Sequence, residues 1–564
     1  MSTAQPPRRN LSRRSFLSAT VATAVTAACT SSGDTSATPS TGATPTPTTA
    51  PVPTPTPAPV PAPAIELPGD PFTLGVASGD PLPDSVIVWT RLAPDPLAGG
   101  GMPDDDVEVA WDIAGDPEFT DIVGTGTAPA TAALGHALHL DATGLEPATE
   151  YWYRFRIGEF VSPTGRTRTL PATDASPDDL RFAFVSCQDY QAGFYAAYRH
   201  MLDDDLHFVV HLGDYIYEDG PGEFAGDLRE VDARLHRDGE TVTLDDYRNR
   251  YALYRTDPDL VAAHQRYPFV ITWDDHEVDN DYADDTSENF DPPTEFLERR
   301  AVAYQAWYEH MPVRLDAPTG PDYVIHRDFA YGDLAHFWVL DTRQYRDDQP
   351  VPDEPFVIPG IEDNDLPIAL LEGVALDPSR TILGAEQKAW LLEGTATADA
   401  TWTVLAQQVF MFGANALPGS TPPLVITDTW DGYSVERAEV LTTMTANGVE
   451  NLVVITGDLH TAAAADLKAD PFDPDSPVVG AEFLGTSITS VFPEAVEPLA
   501  QAALLANPHI KHFDSRKGYC RCTVNRELWR TDYQVVSDVL DPGADNETAA
   551  TFVARNGVPG AEPG

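Results

Sequence analysis

Val209-Val210-His211-Leu212-Gly213-Asp214-Tyr215-Ile216-Tyr217 runs from an apolar segment straight into residues that bind metals or anions. The pattern recurs. Phe269-Val270-Ile271-Thr272-Trp273 leads into Asp274-Asp275-His276-Glu277, Leu452-Val453-Val454-Ile455 into Gly457-Asp458-Leu459-His460, and Phe182-Ala183-Phe184-Val185 into Ser186-Cys187-Gln188-Asp189. Weaker copies are Phe337-Trp338-Val339-Leu340 before Asp341-Thr342-Arg343, and Trp402-Thr403-Val404-Leu405 before Gln407-Gln408. A short continuous apolar run reads as a buried strand, and layered α/β folds bind ligands at the carboxyl ends of such strands. Six endings of this kind predict one shared site, with Asp341 and Gln407 at its rim.

Between the runs, Phe194 to Leu202, Glu295 to Glu309 and Ala385 to Leu392 read as helices, the last burying Trp390, Leu391 and Leu392. Strands alternating with helices predict an α/β catalytic domain over 178–540, layered α/β/β/α or doubly wound. The β character that returns after Tyr519 is assigned to the second sheet, and 541–564 to a C-terminal tail. Upstream, 66–172 reads as a small all-β sandwich. Val86-Ile87-Val88-Trp89-Thr90 and Val107 to Ile113 are its clearest strands. Leu145-Glu146-Pro147-Ala148-Thr149-Glu150-Tyr151 is similar to the tyrosine corner of a fibronectin-type sandwich. That half carries no catalytic cluster.

The first 29 residues read as a targeting segment. Ser12-Arg13-Arg14-Ser15-Phe16-Leu17 resembles a twin-arginine signal, which implies export in the folded state through the twin-arginine machinery. Thr26-Ala27-Ala28-Cys29 resembles a lipobox, making Cys29 a candidate for lipidation and the only expected membrane attachment. Residues 30–65, rich in Ser, Thr and Pro, form an extended linker without a core. The expected location is extracytoplasmic, secreted or at the cell surface.

The 564-residue chain carries 88 acidic against 35 basic residues, a formal net charge of −53. That balance excludes nucleic acid as the main partner, because phosphate-backbone binding needs clustered Lys and Arg. An anionic substrate must then be drawn in by something locally positive, and bound metal ions are the obvious source. Four cysteines do not make a disulfide scaffold. Cys520 and Cys522 alternate along one strand and read as small core residues.

The strand ends offer ligands of two kinds. Asp214 and Tyr217 bring a carboxylate and a phenolate to one cation, and phenolate suits a hard trivalent ion such as ferric iron. Asp275 with His276, Asp458 with His460, and Cys187 complete the set. Singly, Cys187 fits a core thiol, Tyr217 a packing residue and His276 an interior histidine. Their joint placement at strand ends is what points to a metal site. Tyr190, Tyr195 and Trp307 read as packing residues, and Asp279 to Asp285 as a loop able to supply an outer calcium ligand.

Together these motifs resemble the metallophosphoesterase superfamily and, within it, the PhoD-type alkaline phosphatases. Cys187, Asp274-Asp275-His276-Glu277 and Gly457-Asp458-Leu459-His460 replace the superfamily's usual histidine-bearing motifs, and no histidine stands near Gln407-Gln408. Imidazole is lost and carboxylate gained at the second metal position, which favours Ca²⁺ over Zn²⁺ there. The first position, with Cys187, Asp214, Tyr217 and His460, suits Fe³⁺, and the resemblance implies the same pair. The expected reaction is hydrolysis of phosphate esters by a metal-held hydroxide or oxo group, with Asp214 bridging the ions and His276 as the catalytic proton donor. Arg343 or Arg346, and Arg250 or Arg255, are candidates to clamp a phosphate oxygen. A phosphodiesterase of the phospholipase D kind and an inactive surface binding protein are the alternatives.

Overall fold

The computed structural model describes residues 57, 59, 60, 67–222, 234–350, 367–493 and 496–564. The twin-arginine segment, Cys29 and nearly all of the linker lie outside them.

Alternation along the strands decides the layering. In Leu180–Val185, Phe182 and Phe184 enter one hydrophobic cluster while Ala183 and Val185 enter another. Phe208–His211 and Pro268–Ile271 split in the same way, Val210 and Val270 facing the first cluster and Val209 and Ile271 the second. The first cluster is shared with Phe337, Val404, Val453 and Ile455, so two sheets bury one face against each other. The second holds the helices Ala196–Met201, Leu244–Tyr254, Pro258–Arg266 and Pro293–His310. On the other sheet, Trp338, Leu405 and Val454 meet Leu391, Val440 and Leu441 of the helices Gly384–Thr395 and Ser434–Ala446. A period-two pattern apolar on both faces is what a strand covered on both sides requires.

One sheet has ten strands and the other seven. The strands Val76–Gly79, Ser85–Arg91 and Ala137–Thr143 do not belong to a separate domain sheet. They extend the ten-stranded sheet, Val76–Gly79 lying parallel to Pro268–Ile271. Residues 66–172 therefore share hydrogen-bonded backbone with the catalytic part, and only a five-stranded sheet covering them is their own. The tyrosine corner forms, with Glu146 N–H donating to Tyr151 Oη at 2.8 Å. Two further expectations are corrected. Gly518–Val524 and Leu528–Val536 join the first sheet rather than the second, and 546–563 is no tail but the edge strands Asn546–Arg555 and Val558–Pro563. Short-range pattern gives a strand but not its neighbour, so sheet membership was beyond its reach. Cys520 and Cys522 are free and buried in the shared core. Within the helix Gly384–Thr395, Leu391 is buried while Trp390 and Leu392 are half-buried. Among the described residues no helix is long and apolar enough to cross a membrane.

Burial disfavours the charged form of two histidines, His139 and His211. His139 stacks on Tyr308 at 4.2 Å, and its Nε2 lies 2.8 Å from Met311 O. Burial lowers His139 to about 4 and His211 to about 3. Unfolded histidines take a proton near pH 6.5. Below that pH the unfolded chain binds more protons than the folded one, so stability falls as pH drops from about 6.5 towards 4. Calorimetry should show the melting midpoint falling through this window, with a shallower fall in His139→Gln. An identical slope in that variant would remove His139 from the effect.

Candidate active site

The parallel register sets the six endings side by side. Leu180–Val185, Phe208–His211 and Pro268–Ile271 are adjacent and parallel, as are Ala335–Val339, Trp402–Ala406 and Leu452–Thr456 in the facing sheet. Gln408 ties the two sets together. Its amide nitrogen donates to Thr272 Oγ1 at 2.8 Å and Leu340 O at 2.9 Å, and its carbonyl accepts from Thr342 N–H at 3.1 Å. Glu277 does the same for two neighbouring strand ends, accepting from Asp214 N–H at 3.1 Å and Asp274 N–H at 2.8 Å. The endings at Asp341 and Gln407 are thus not a rim. Both residues are buried on the helix-covered side of the second sheet, Asp341 N–H donating to Gln387 Oε1 at 2.9 Å and Gln407 Oε1 accepting from Trp430 Nε1 at 2.8 Å.

A cavity of about 270 Å³ opens over these ends, with Asp214, Tyr217, Asp275, His276, Asp458 and His460 in its wall. Cys187 is buried, with its Sγ, an Asp214 oxygen and a His460 ring nitrogen all within 4.8 Å of one another. Asp214, Asp275 and His276 form a second such group, and Asp274, Asp275 and Asp458 a third. Tyr217 Oη lies 3.2 Å from Asp214 Oδ2, 3.1 Å from His460 Nε2 and 2.7 Å from Ser490 Oγ. All seven candidate metal and catalytic residues therefore meet at one place.

The backbone is strained to achieve this. Cys187, Asp214, Asp458 and His460 have φ of 57°, 55°, 68° and 60°. Left-handed conformations at non-glycine residues cost on the order of 1–3 kcal/mol each and persist only where the surroundings enforce them. Leu459, between two such residues, lines the cavity and packs against the cluster of Phe410, Phe412, Ala463, Ala465 and Leu484.

Three of the candidate arginines are placed differently from expectation. Arg255 is outside the cavity, its guanidinium 4.5 Å over the Trp89 ring and donating to His310 O at 2.9 Å. Arg250 is committed to the Tyr217 and Gly239 carbonyls. Arg346 is spent on Asp428. Arg343 is at the site, but every arm is taken. Its Nε bonds Asp274, Nη1 lies 2.9 Å from Asp428 Oδ1, and Nη2 lies 3.1 Å from Asp458 Oδ1. Sequence alone cannot tell a guanidinium that holds carboxylates apart from one that clamps phosphate.

Five further residues belong to the site. Asp281 donates its N–H to Asp275 Oδ2 at 2.6 Å, within the loop expected to offer an outer calcium ligand. Asp428 lines the cavity from another loop, Asp189 from the strand end that carries Cys187, and Ser490 reaches Tyr217. Glu218 Oε2 lies 2.7 Å from His276 Nδ1, while its Oε1 accepts from Asn280 N–H at 2.6 Å.

Electrostatics shows what the site needs. Burial first, then Asp274 and Asp275 beside it, push the Asp214 carboxyl well above the usual carboxylate range. Burial brings Asp274 up to about 6 and raises Asp458 well above its ordinary value. The Cys187 thiol and the Tyr217 phenol are pushed up by burial and then by Asp214. Burial would lower His276, but Glu218, Asp214 and Asp275 outweigh it and hold it above its ordinary value. Asp214 Oδ1 has no hydrogen-bond donor among the described residues, and Asp275 Oδ1 has only the Arg343 guanidinium at 3.5 Å. No Arg or Lys stands in the cavity wall among those residues. Buried carboxylates in such excess must take up protons or be offset by cations. The donor set fits: carboxylates for a hard divalent ion, and thiol, phenol and imidazole beside Asp214 for a trivalent one.

Comparison with known proteins bears on this geometry. The model of the family "PhoD-like phosphatase" matches residues 182–533, and that of its N-terminal domain matches 59–171. Alkaline phosphatase D of Bacillus subtilis (strain 168) is 48% identical over 485 residues, 86% of this chain and 80% of that protein. A solved structure titled "Structure of PhoD" superposes with a TM-score of 0.82 at 45% identity, covering 89% of this chain and 93% of that one.

Proposed function

The chain belongs to the PhoD-like phosphatase family, and we propose that it is an exported, metal-dependent alkaline phosphatase. It is a phosphoric ester hydrolase. The observation that carries metal dependence is a cavity walled by carboxylates, two of their oxygens lacking close donors, with no Arg or Lys among its described lining. A phosphate ester cannot enter such a cavity unless cations precede it.

Cys187, Asp214, Tyr217 and His460 would hold ferric iron, and Asp275 and Asp458, with Asp214 shared, would hold calcium. Bound there, the ions supply Lewis-acid charge and a lowered pKa for water. His276 does the proton work of the protein. Glu218 fixes its Nδ1 and with it the orientation of the ring, which would protonate the departing alcohol oxygen. His276→Ala should lower turnover by roughly 10²–10⁴. Glu218→Gln should cost about 10–100-fold, with a larger loss for alkyl than for nitrophenyl esters. Equal losses for both esters would deny Glu218 a part in proton delivery. Cys187→Ser should lose iron while keeping calcium, and unchanged iron by element analysis would make the thiol a packing residue.

The fold reading goes with this function. Clusters on both faces of both sheets support a helix–sheet–sheet–helix stack of the metallophosphatase kind, and the tyrosine corner supports a fibronectin-like N-terminal sandwich that shares the larger sheet. Ser12 to Leu17 supports twin-arginine export, and Cys29 a lipid anchor at the cell surface. Turnover of a phosphomonoester against a diester, with and without chelator, tests the proposal. Hydrolysis of the diester alone would move the chain to the phosphodiesterase alternative, and hydrolysis of neither to the binding-protein one.

A further inference from the structure

Leu459 lines two cavities at once. Beside the catalytic cavity lies a second, of about 110 Å³, and Ile426, Leu459 and Phe492 belong to the walls of both. Its chemistry is the opposite of its neighbour's. Phe410, Phe412, Ala463, Leu484 and Phe513 form its floor, and Leu499, Ala500 and Ala503 of the short helix Glu497–Ala503 close one side. Thr461 and Asn507 are the only polar residues among its described lining. Phe410 stacks on Phe412 at 4.6 Å and Phe492 meets Phe513 edge-on at 5.8 Å, so the walls are packed aromatic surface.

The loop Gly457 to His460 builds the partition. Asp458 and His460 present polar groups to the catalytic cavity, and Leu459 between them contributes to the apolar one. A molecule with its phosphoryl group among Asp214, Asp275 and Asp458 would thus meet apolar wall within one residue of the reacting centre. Ligand sites pair a few polar groups with a mostly apolar lining, and here the two parts are contiguous.

Resting on the phosphatase reading above, we propose that the second cavity is a subsite for the alcohol portion of the substrate and selects esters of apolar alcohols, alkyl or aryl, over polyol or sugar esters. An apolar cavity of about 150 Å³ takes up benzene, so this smaller one, sharing Ile426, Leu459 and Phe492 with the active-site wall, suits a group of a few carbons. Each methylene buried there should raise kcat/KM about fourfold.

The test is a series of n-alkyl phosphate monoesters from ethyl to hexyl, followed by released phosphate, with n-alkylphosphonates titrated calorimetrically as a readout free of turnover. Both series should rise with chain length in the wild-type protein, for kcat/KM by roughly 10²-fold across the series. In Ala500→Phe and in Ala503→Phe, whose new rings occupy the pocket from the half-buried helix, the rise should flatten while ethyl phosphate turnover stays unchanged. A flat series in the wild-type protein overturns the proposal, as does a rise that both variants keep. A flat series with a concentration-dependent dimer gives the pocket to a second copy of the chain instead. If ethyl phosphate is not hydrolysed and no phosphonate binds, the phosphatase reading itself has failed.

Discussion

Asp214→Asn should reduce phosphate-ester turnover by about 10³-fold or more and strip the protein of both kinds of metal. Asp214 is the one residue in both the Cys187–His460 group and the Asp275–His276 group. Its Oδ2 meets the Tyr217 phenol, while its Oδ1 has no donor among the described residues. An amide keeps the shape but removes the charge that offsets a cation on either side. Metal ions contribute several kcal/mol of transition-state stabilisation, and every 1.36 kcal/mol is tenfold in rate. Folding should survive, since burial and neighbouring carboxylates already disfavour the charged form and the amide relieves that repulsion. Turnover within tenfold of wild type, with metal retained, would take Asp214 out of the site.

Arg343→Met should have the largest effect on stability. The guanidinium is buried and lies against Asp274, Asp428 and Asp458, with Asp275 at 3.5 Å. Removing one partner of a buried ion pair costs about 3–5 kcal/mol because the other charge is left uncompensated. Here several carboxylates lose the same partner. The cost should be greatest in chelator, where no cation can take over the charge, and smaller with calcium in excess, because a ligand that binds only the folded state stabilises it. Denaturant titrations of wild type and variant, each with calcium and with chelator, read this directly. A calcium-independent difference would make Arg343 a packing element with no electrostatic link to the metal positions.

The chemistry-bearing residues were legible because buried parallel strands are continuous apolar runs, and the residue that ends such a run is the one the fold delivers to the site. Cys187, Asp214, Asp275 and Asp458 stand just past strand ends, and parallel pairing brings them together without further instruction. Asp428 and Ser490 stand in loops that arrive by tertiary packing, and no local period marks them. Arg255 failed for another reason. A guanidinium stacked on Trp89 has the same residue type and surroundings in sequence as one poised for phosphate. The merging of Val76–Gly79 into the catalytic sheet was hidden because parallel pairing across nearly two hundred residues is a long-range choice. Edge strands 546–563 follow an Asp- and Gly-containing turn that reads equally well as the start of a tail.

Chelation of the full-length protein, with iron and calcium counted by element analysis at each step, tests the central claim most directly. Ester hydrolysis should fall in proportion to the calcium removed and return when Ca²⁺ is restored, with iron retained until stronger treatment. Undiminished hydrolysis by protein in which neither metal is found would contradict the account.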